Sequence, residues 1–490
     1  MLDPPELDPD HPSEIPLERL DADAVKVIAR LRHMHHQAYL VGGCVRDVLL
    51  GATPKDFDVA TSAHPGEVRA VFRNCRLIGR RFRLAHVFFR GGKVIEVATF
   101  RKNPVDLAED VPDGDLLITR DNVFGNPEED ALRRDFTVNG LFYDTFAGAV
   151  IDYVGGRADL EAHRISTIGD PEIRMREDPV RALRAIRFAA RLGFIIAPDT
   201  FAAMRRHAGE IARCAPPRVL EEILKILRCG ASARAFDLMR TSGALPIVLP
   251  ALSAYVDGAG DGQRKRFAAH LSALDAVVRA QREVSEAVLL GALLIHLPEP
   301  EGKTSPRDEL LEALVGAARL PRRIAERVRL ALDAQAVFRS GPRRRQRGLP
   351  SQSYYQDALQ LLEVTVRATG EDEELLARWQ SGEALSEVHA GKPQGEAGRR
   401  NGHAPRHTNG HAHPKPHKAP TTAAAGEESP PAEGDVVSAA EAAGGGADAE
   451  AGAAGEARRR RRRRGGRRRR RRGGAAAESA DHGGGTQNTL

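Results

Sequence analysis

The sequence predicts an α+β head of modest size, a helical body behind it and a long unstructured end. Short runs rich in Val, Ile and Phe at 55–60, 84–89 and 94–100 have strand character and lie between turn signals. From about 170 to 380 apolar residues recur at helical spacing, as in DPVRALRAIRFAARLGF, PRVLEEILKILRCG and RRIAERVRLALDAQAVF. Beyond 381, Gly, Ala, Pro, His and Glu dominate, a composition unable to offset its own ordering entropy. The expected divisions are a disordered extension at 1–20, the head at 21–155, helical segments at 156–260 and 261–380, and a disordered linker and tail at 381–490.

At 490 residues the chain is long enough for two or more domains. The cysteines, Cys44, Cys75, Cys214 and Cys229, form no CxxC pair, so neither a zinc site nor a disulfide framework is expected. The acidic, proline-rich start lacks a secretory h-region, and the most apolar run, LLGALLIHL at 289–297, is too short to span a bilayer. A soluble, cytoplasmic protein without membrane contact is expected. The net charge of +6 is concentrated at one end: thirteen arginines at 458–464 and 467–472 leave the remainder at −7. Such a tail attracts phosphates.

The chemistry centres on LVGGCVRDVLLGATPKDFDV at 40–59. Asp56 and Asp58 are two apart in a strand-like run, which directs both carboxylates to one face and Phe57 to the other. Adjacent carboxylates repel unless a cation joins them, and their oxygens suit Mg²⁺. Gly42 and Gly43 follow a strand ending at Val41 and let the backbone approach a triphosphate, with Arg46 as a charged clamp. VRDVLL continues as a helix whose N-terminus favours anions. Taken alone, DxD is often a solvated loop and GG merely a turn. VGGCVRD does not fit the dinucleotide fingerprint GxGxxG, and the combination favours a metal–triphosphate site.

GGxVRDxLLGxxxxDFD resembles the signature of class II nucleotidyltransferases, the bacterial poly(A) polymerases and CCA-adding enzymes. RRDFTVNGLFYD at 133–144, IDYVGG at 151–156 and REDPVRALRAIRF at 176–188 resemble further family motifs in family order. The resemblance covers roughly 25–260, with a weaker helical continuation to about 380. It implies a nucleotidyltransferase head with a mixed β-sheet, followed by a helical neck and an RNA-binding body. The implied activity is transfer of AMP from ATP to RNA 3′ ends, in RNA processing and turnover, with two Mg²⁺ ions. It also implies a third acidic ligand, matched by Asp135, with Glu96 in VIEVATF as competitor. RNA 3′ ends, ATP and RNA-decay or other RNA-binding proteins are the expected partners.

Asp178 and Arg181, three apart at an expected helix start, would share one face. Asp accepts from the adenine N6 amino group and Arg donates to a ring nitrogen, so the pair imitates a Watson–Crick edge. An ordinary helical ion pair is the alternative, and the family likeness favours base selection. Arg181, Arg184, Arg187 and Arg191 form a stripe opposite Val180, Leu183, Ile186 and Ala190, suited to a nucleotide cleft or a solvated face. LIGRRFRLAHVFF at 77–89 resembles the segment that separates poly(A) polymerases from CCA-adding enzymes. Its Arg80, Arg81, Arg83 and His86 are candidate nucleotide or primer contacts, the alternative being a solvated turn before a core strand. CCA addition to tRNA and a non-catalytic RNA-binding adaptor are the competing functions. The arginine tail is expected to tether RNA through phosphate neutralisation, with little base stacking.

Overall fold

A computed structural model of the chain describes residues 13–382, except 80–82, 103–122, 259, 281–282, 298–304 and 341–347. Arg80, Arg81 and the expected disordered linker and arginine tail lie outside the described residues, as does most of the expected N-terminal extension.

The head is a mixed seven-stranded sheet. Its strands are β1 (Ala38–Val41), β2 (Asp58–Thr61), β3 (Cys75–Ile78), β4 (Leu84–Phe88), β5 (Val94–Thr99), β6 (Phe142–Asp144) and β7 (Ala149–Ile151). They are ordered β3-β4-β5-β2-β1-β6-β7, and β2–β5 is the parallel pair among antiparallel ones. Alternation along the strands sends Leu40, Val59, Ala85, Val87, Ile95 and Val97 into the main core. That face is covered by α1 (Ala22–His33) and by α3 (Pro65–Val71), the helix after α2 (Gly43–Leu49). Asp21 fixes the start of α1, its carboxylate accepting from the N–H groups of Asp23 and Ala24. On the other face Tyr39, Val41, Ala60, Phe100 and Phe142 form a smaller cluster with Ala131 of α4 (Pro127–Leu132).

Two expectations need correction. The second strand starts at Asp58 rather than Lys55. Val41, the last residue of β1, already pairs with Asp58, and the chain turns at Gly42 into α2, so β1 offers nothing to pair with Asp56. Asp56 therefore stands in the exposed approach to the strand, while Phe57 packs against the core as expected. Nor is the stretch before residue 21 wholly without structure. Ile15 is fully buried, Glu14 N–H donates to Gly148 O at 2.8 Å, and the Glu14 carboxylate accepts from Val150 N–H at 3.0 Å, so this segment covers the β7 edge.

Behind the head come α5 (Gly156–Glu161), α6 (Pro171–Glu177), α7 (Val180–Leu192), α8 (Pro198–Arg206) and α9 (Pro216–Leu227). A two-stranded parallel ribbon, β8 (Arg164–Ile165) and β9 (Ile195–Ile196), brackets α6 and α7. Helices then continue through α10 (Ser232–Thr241), α11 (Ala244–Val248), α12 (Pro250–Gly258), α13 (Asp261–Arg279) and α14 (Glu286–Leu294) to a last one at Glu373–Ser381. The apolar run read at 289–297 forms the later part of α14 and the three residues after it, and α14 is buried along its length after its first residue. No described helix is long and apolar enough to cross a membrane.

His296, just past α14, packs edge-on to His270 of α13 at 4.4 Å between ring centres, with Phe267 and Tyr255 around it. Its Nε2 has no hydrogen-bond partner among the described residues. Burial, with His270 and Arg266 nearby, pushes it down to about 3. An unfolded histidine takes up its proton near pH 6.5, so the unfolded state binds more protons in this window and stability falls as pH drops from about 6.5 towards 3. His296→Leu is expected to flatten that fall in calorimetric melts. Parallel pH profiles for the two proteins would refute it.

Candidate active site

Head and body enclose a cavity of about 1020 Å³, roomy enough for a nucleotide. Its lining unites Gly42, Gly43 and Arg46 of the first motif, Asp56 and Asp58, Asp135, and Asp178, Arg181, Arg184 and Arg187. Arg83 and His86 are not part of this lining.

Gly42 adopts φ +75°, and a Cβ there would stand 2.9 Å from Arg134 Nη1, so a side chain meets backbone strain and must displace the end of Arg134. The turn opens directly into α2, whose first N–H groups have no intrahelical acceptor and face a lining rich in cations. Arg46 lines the cavity but is 2% exposed and fully engaged. Its Nε donates to Asp47 Oδ1 at 2.8 Å, its Nη1 donates to Asn139 Oδ1, and its guanidinium lies 5.3 Å from the Phe188 ring centre. It buttresses the glycine turn from beneath.

Asp58 opens onto the cavity, yet protein surrounds much of its carboxyl. That burial, with Glu96 and Asp56 close by, pushes it up to about 6 against the opposing pull of Arg134. Glu96 is the direct neighbour of Asp58 in the β2–β5 register, and its Oε1 lies 3.4 Å from His86 Nε2. Asp135 has a different environment. Its Oδ2 receives Arg184 Nη2 at 2.6 Å and Nε at 2.8 Å, and its Oδ1 receives Phe136 N–H at 2.8 Å and Asn139 Nδ2 at 3.1 Å. Although burial opposes ionisation, Arg184 and these donors hold it down to about 2. Among the described residues no three His, Cys, Asp or Glu side chains are gathered into a ready-made metal cluster.

Asp178 and Arg181 do not share a helical face. Proline at 179 disfavours helical geometry at the residue before it, so Asp178 ends α6 with φ −148° and ψ 89°, and α7 begins only at Val180. Asp178 accepts from Arg218 Nη2 of α9 at 2.8 Å. Arg181 is buried, donating from Nη1 to Glu177 Oε2 at 2.9 Å and to Arg174 O at 2.8 Å. The arginine stripe of α7 is likewise paired rather than solvated. Arg184 bridges Asp135 and Glu222, Arg187 Nε donates to Glu222 at 2.9 Å, and Arg191 reaches Asp47 at 3.1 Å.

Sequence reasoning missed Asp47, Arg134, Asn139, Arg174, Glu177, Arg218 and Glu222 as parts of this network. Six of them stood inside quoted motifs, Asp47 in VRD, Arg134 and Asn139 in RRDFTVN, Glu177 in REDPVR, and Arg218 and Glu222 in PRVLEEILKIL. The partners that tie Asp47 to Arg191, Asn139 to Arg46, Arg218 to Asp178 and Glu222 to Arg187 lie far along the chain, so no local pattern announced those pairings.

The family description "Poly A polymerase head domain" matches residues 38–166, and "Probable RNA and SrmB- binding site of polymerase A" matches 193–256. Poly(A) polymerase I of Haemophilus influenzae is 39% identical over 342 residues, 65% of this chain and 75% of that protein. The chain belongs to the poly(A) polymerase family. Poly(A) polymerase I of Salmonella typhi is 45% identical over 279 residues, 56% of this chain but only 60% of that relative's length. The poly(A) polymerase fold also matches a solved CCA-adding enzyme of Bacillus stearothermophilus in complex with CTP, at 28% identity and TM-score 0.54, covering 76% of this chain and 88% of that one. The mixed-sheet head and helical continuation expected from the sequence are therefore present, in a chain similar both to poly(A) polymerases and to a CCA-adding enzyme.

Proposed function

We propose that this chain is a template-independent adenylyltransferase that adds AMP from ATP to RNA 3′ ends. The single observation behind this reading is one cavity whose lining brings together the head carboxylates Asp56, Asp58 and Asp135, the arginines of α7, and Asp178 with Arg181. Family membership adds to it.

Asp56, Asp58 and Glu96 are the carboxylates suited to Mg²⁺, since Asp58 and Glu96 are register neighbours across β2 and β5 and Asp56 lines the cavity with Asp58. Glu96 suits the third position better than Asp135, whose two oxygens are already taken by Arg184, Asn139 and Phe136. When bound, the metal lowers the pKa of the attacking hydroxyl and neutralises the leaving pyrophosphate. The chain's own groups do the rest. Gly42 and Gly43 admit the triphosphate against the backbone, and Arg184 and Arg187 place positive charge beside it. Asp178, accepting from Arg218 at present, is available to the adenine N6 amino group, and Arg181, held by Glu177, fixes the far wall. The 3′ oxygen bonds to the α-phosphorus as the bond to pyrophosphate breaks, and positioning supplies much of the acceleration. Beyond the described residues, the arginine tail would tether the RNA.

Purified full-length chain incubated with labelled RNA, Mg²⁺ and each NTP singly is expected to give long ladders with ATP alone. Asp178→Ala is expected to relax that choice about 10-fold or more. Addition that stops after CTP and ATP on tRNA lacking its 3′ end would replace this reading by CCA addition.

A further inference from the structure

The sheet carries a second row of functional side chains on the side of Asp58 away from the cavity. Register aligns Asp58 with Glu96, Glu96 with His86, and His86 with Arg76, across β2, β5, β4 and β3. These residues alternate with core residues such as Val59, Val97 and Val87, so they share the face opposite the main core. Phe88 lies two residues beyond His86 on the same face. Its ring centre is 6.4 Å from that of His86, and the Arg76 guanidinium lies 5.6 Å above it. None of the four residues from Glu96 outward belongs to the cavity lining.

We infer that Phe88, with Arg76 and His86, is the platform on which the 3′-terminal base of the RNA primer stacks. The inference rests on the adenylyltransferase reading above. An in-line displacement requires the attacking hydroxyl on the side of the α-phosphorus opposite the departing pyrophosphate. If the triphosphate fills the cavity, the primer end approaches from the other side of Asp58, where this row begins. The surface there has the chemistry of a single-strand site: a ring for sequence-tolerant stacking and a cation over it for the adjoining phosphate. The His86–Glu96 contact fixes its distance from the catalytic carboxylates. Apolar protein partners would find Arg76, His86 and Glu96 charged or polar along the row, which favours a nucleic acid end.

The test couples side chain to base. Equilibrium binding of the full-length chain, without ATP, is measured for a short oligoadenylate ending in adenosine and for the same oligomer with an abasic 3′ terminus. The wild type should bind the abasic oligomer about 5- to 100-fold more weakly, the range of one base–aromatic stack. Phe88→Leu, which keeps an apolar side chain in the strand, should bind both alike, and Phe88→Tyr should restore the difference. In primer extension Phe88→Leu should raise KM for RNA by a similar factor and leave KM for ATP unchanged. An abasic penalty as large in Phe88→Leu as in the wild type would overturn the platform. Absence of any nucleotide incorporation by the wild type would instead sink the adenylyltransferase reading, while the binding comparison still decided the platform.

Discussion

Asp58→Asn is expected to reduce AMP incorporation by about a thousandfold, because it removes a charged ligand from the reacting centre. It is also expected to leave the fold as stable or more stable in metal-free buffer. The wild-type carboxyl, raised to about 6 by burial and by Glu96 and Asp56, binds its proton more tightly folded than unfolded. Between about pH 4 and 6 the folded state therefore holds more protons, and stability falls as pH rises through that window. A neutral amide abolishes this slope. Thermal melts in a chelator from pH 4 to 8, beside single-nucleotide incorporation, check both halves. A variant that is both inactive and markedly unstable would show that Asp58 serves the fold rather than the chemistry.

Arg184→Ala is expected to cost on the order of 3–5 kcal/mol of stability at neutral pH, since it strands a buried carboxylate without its counter-charge. Arg184 pairs with Asp135 through two nitrogens and extends to Glu222 of α9, so head and body lose a shared tie. The pH dependence runs opposite to that of Asp58. Asp135 is held down to about 2, so its contribution is complete above the unfolded value near 4 and disappears as pH falls towards 2. The stability gap between wild type and variant should close over that range. Asp135→Asn introduced into Arg184→Ala should recover part of the loss, which denaturant titrations arranged as a double-mutant cycle would measure. Full additivity of the two substitutions would mean that the pair does not act as a unit.

Much of the head was legible because short-range physics dictates it. The glycines at 42 and 43 signalled the turn into α2. Motif likeness brought together Gly42, Asp58, Asp135 and Arg181, and all line one cavity. What the sequence withheld was partnership. Arg46 looked free to hold phosphate, whereas Asp47 beside it and Asn139, far along the chain, claim its nitrogens. Asp178 and Arg181 looked like helical neighbours at three-residue spacing, but Pro179 breaks the geometry between them. The edge strand β3, with alternating half-buried and exposed residues, carried too little apolar signal to stand out, so the row leading to Arg76 was invisible.

The parallel pairing of β2 with β5 also orders events in time. Hairpins such as β4–β5 close over a few residues, whereas β2 meets β5 only after the intervening α3, β3 and β4 have folded back, the chain between Thr61 and Val94 having formed its crossover. Loop closure of that length is slow relative to local pairing. Asp58 and Glu96 therefore become neighbours after the β4–β5 hairpin has closed, and a nascent head carries no concentrated acidic pair until the β2–β5 crossover is made. On the proposed metal site, cation capture by the newly made chain would follow closure of the β2–β5 crossover, which makes it a clock for that step, ahead of the longer loop that brings β6 to β1.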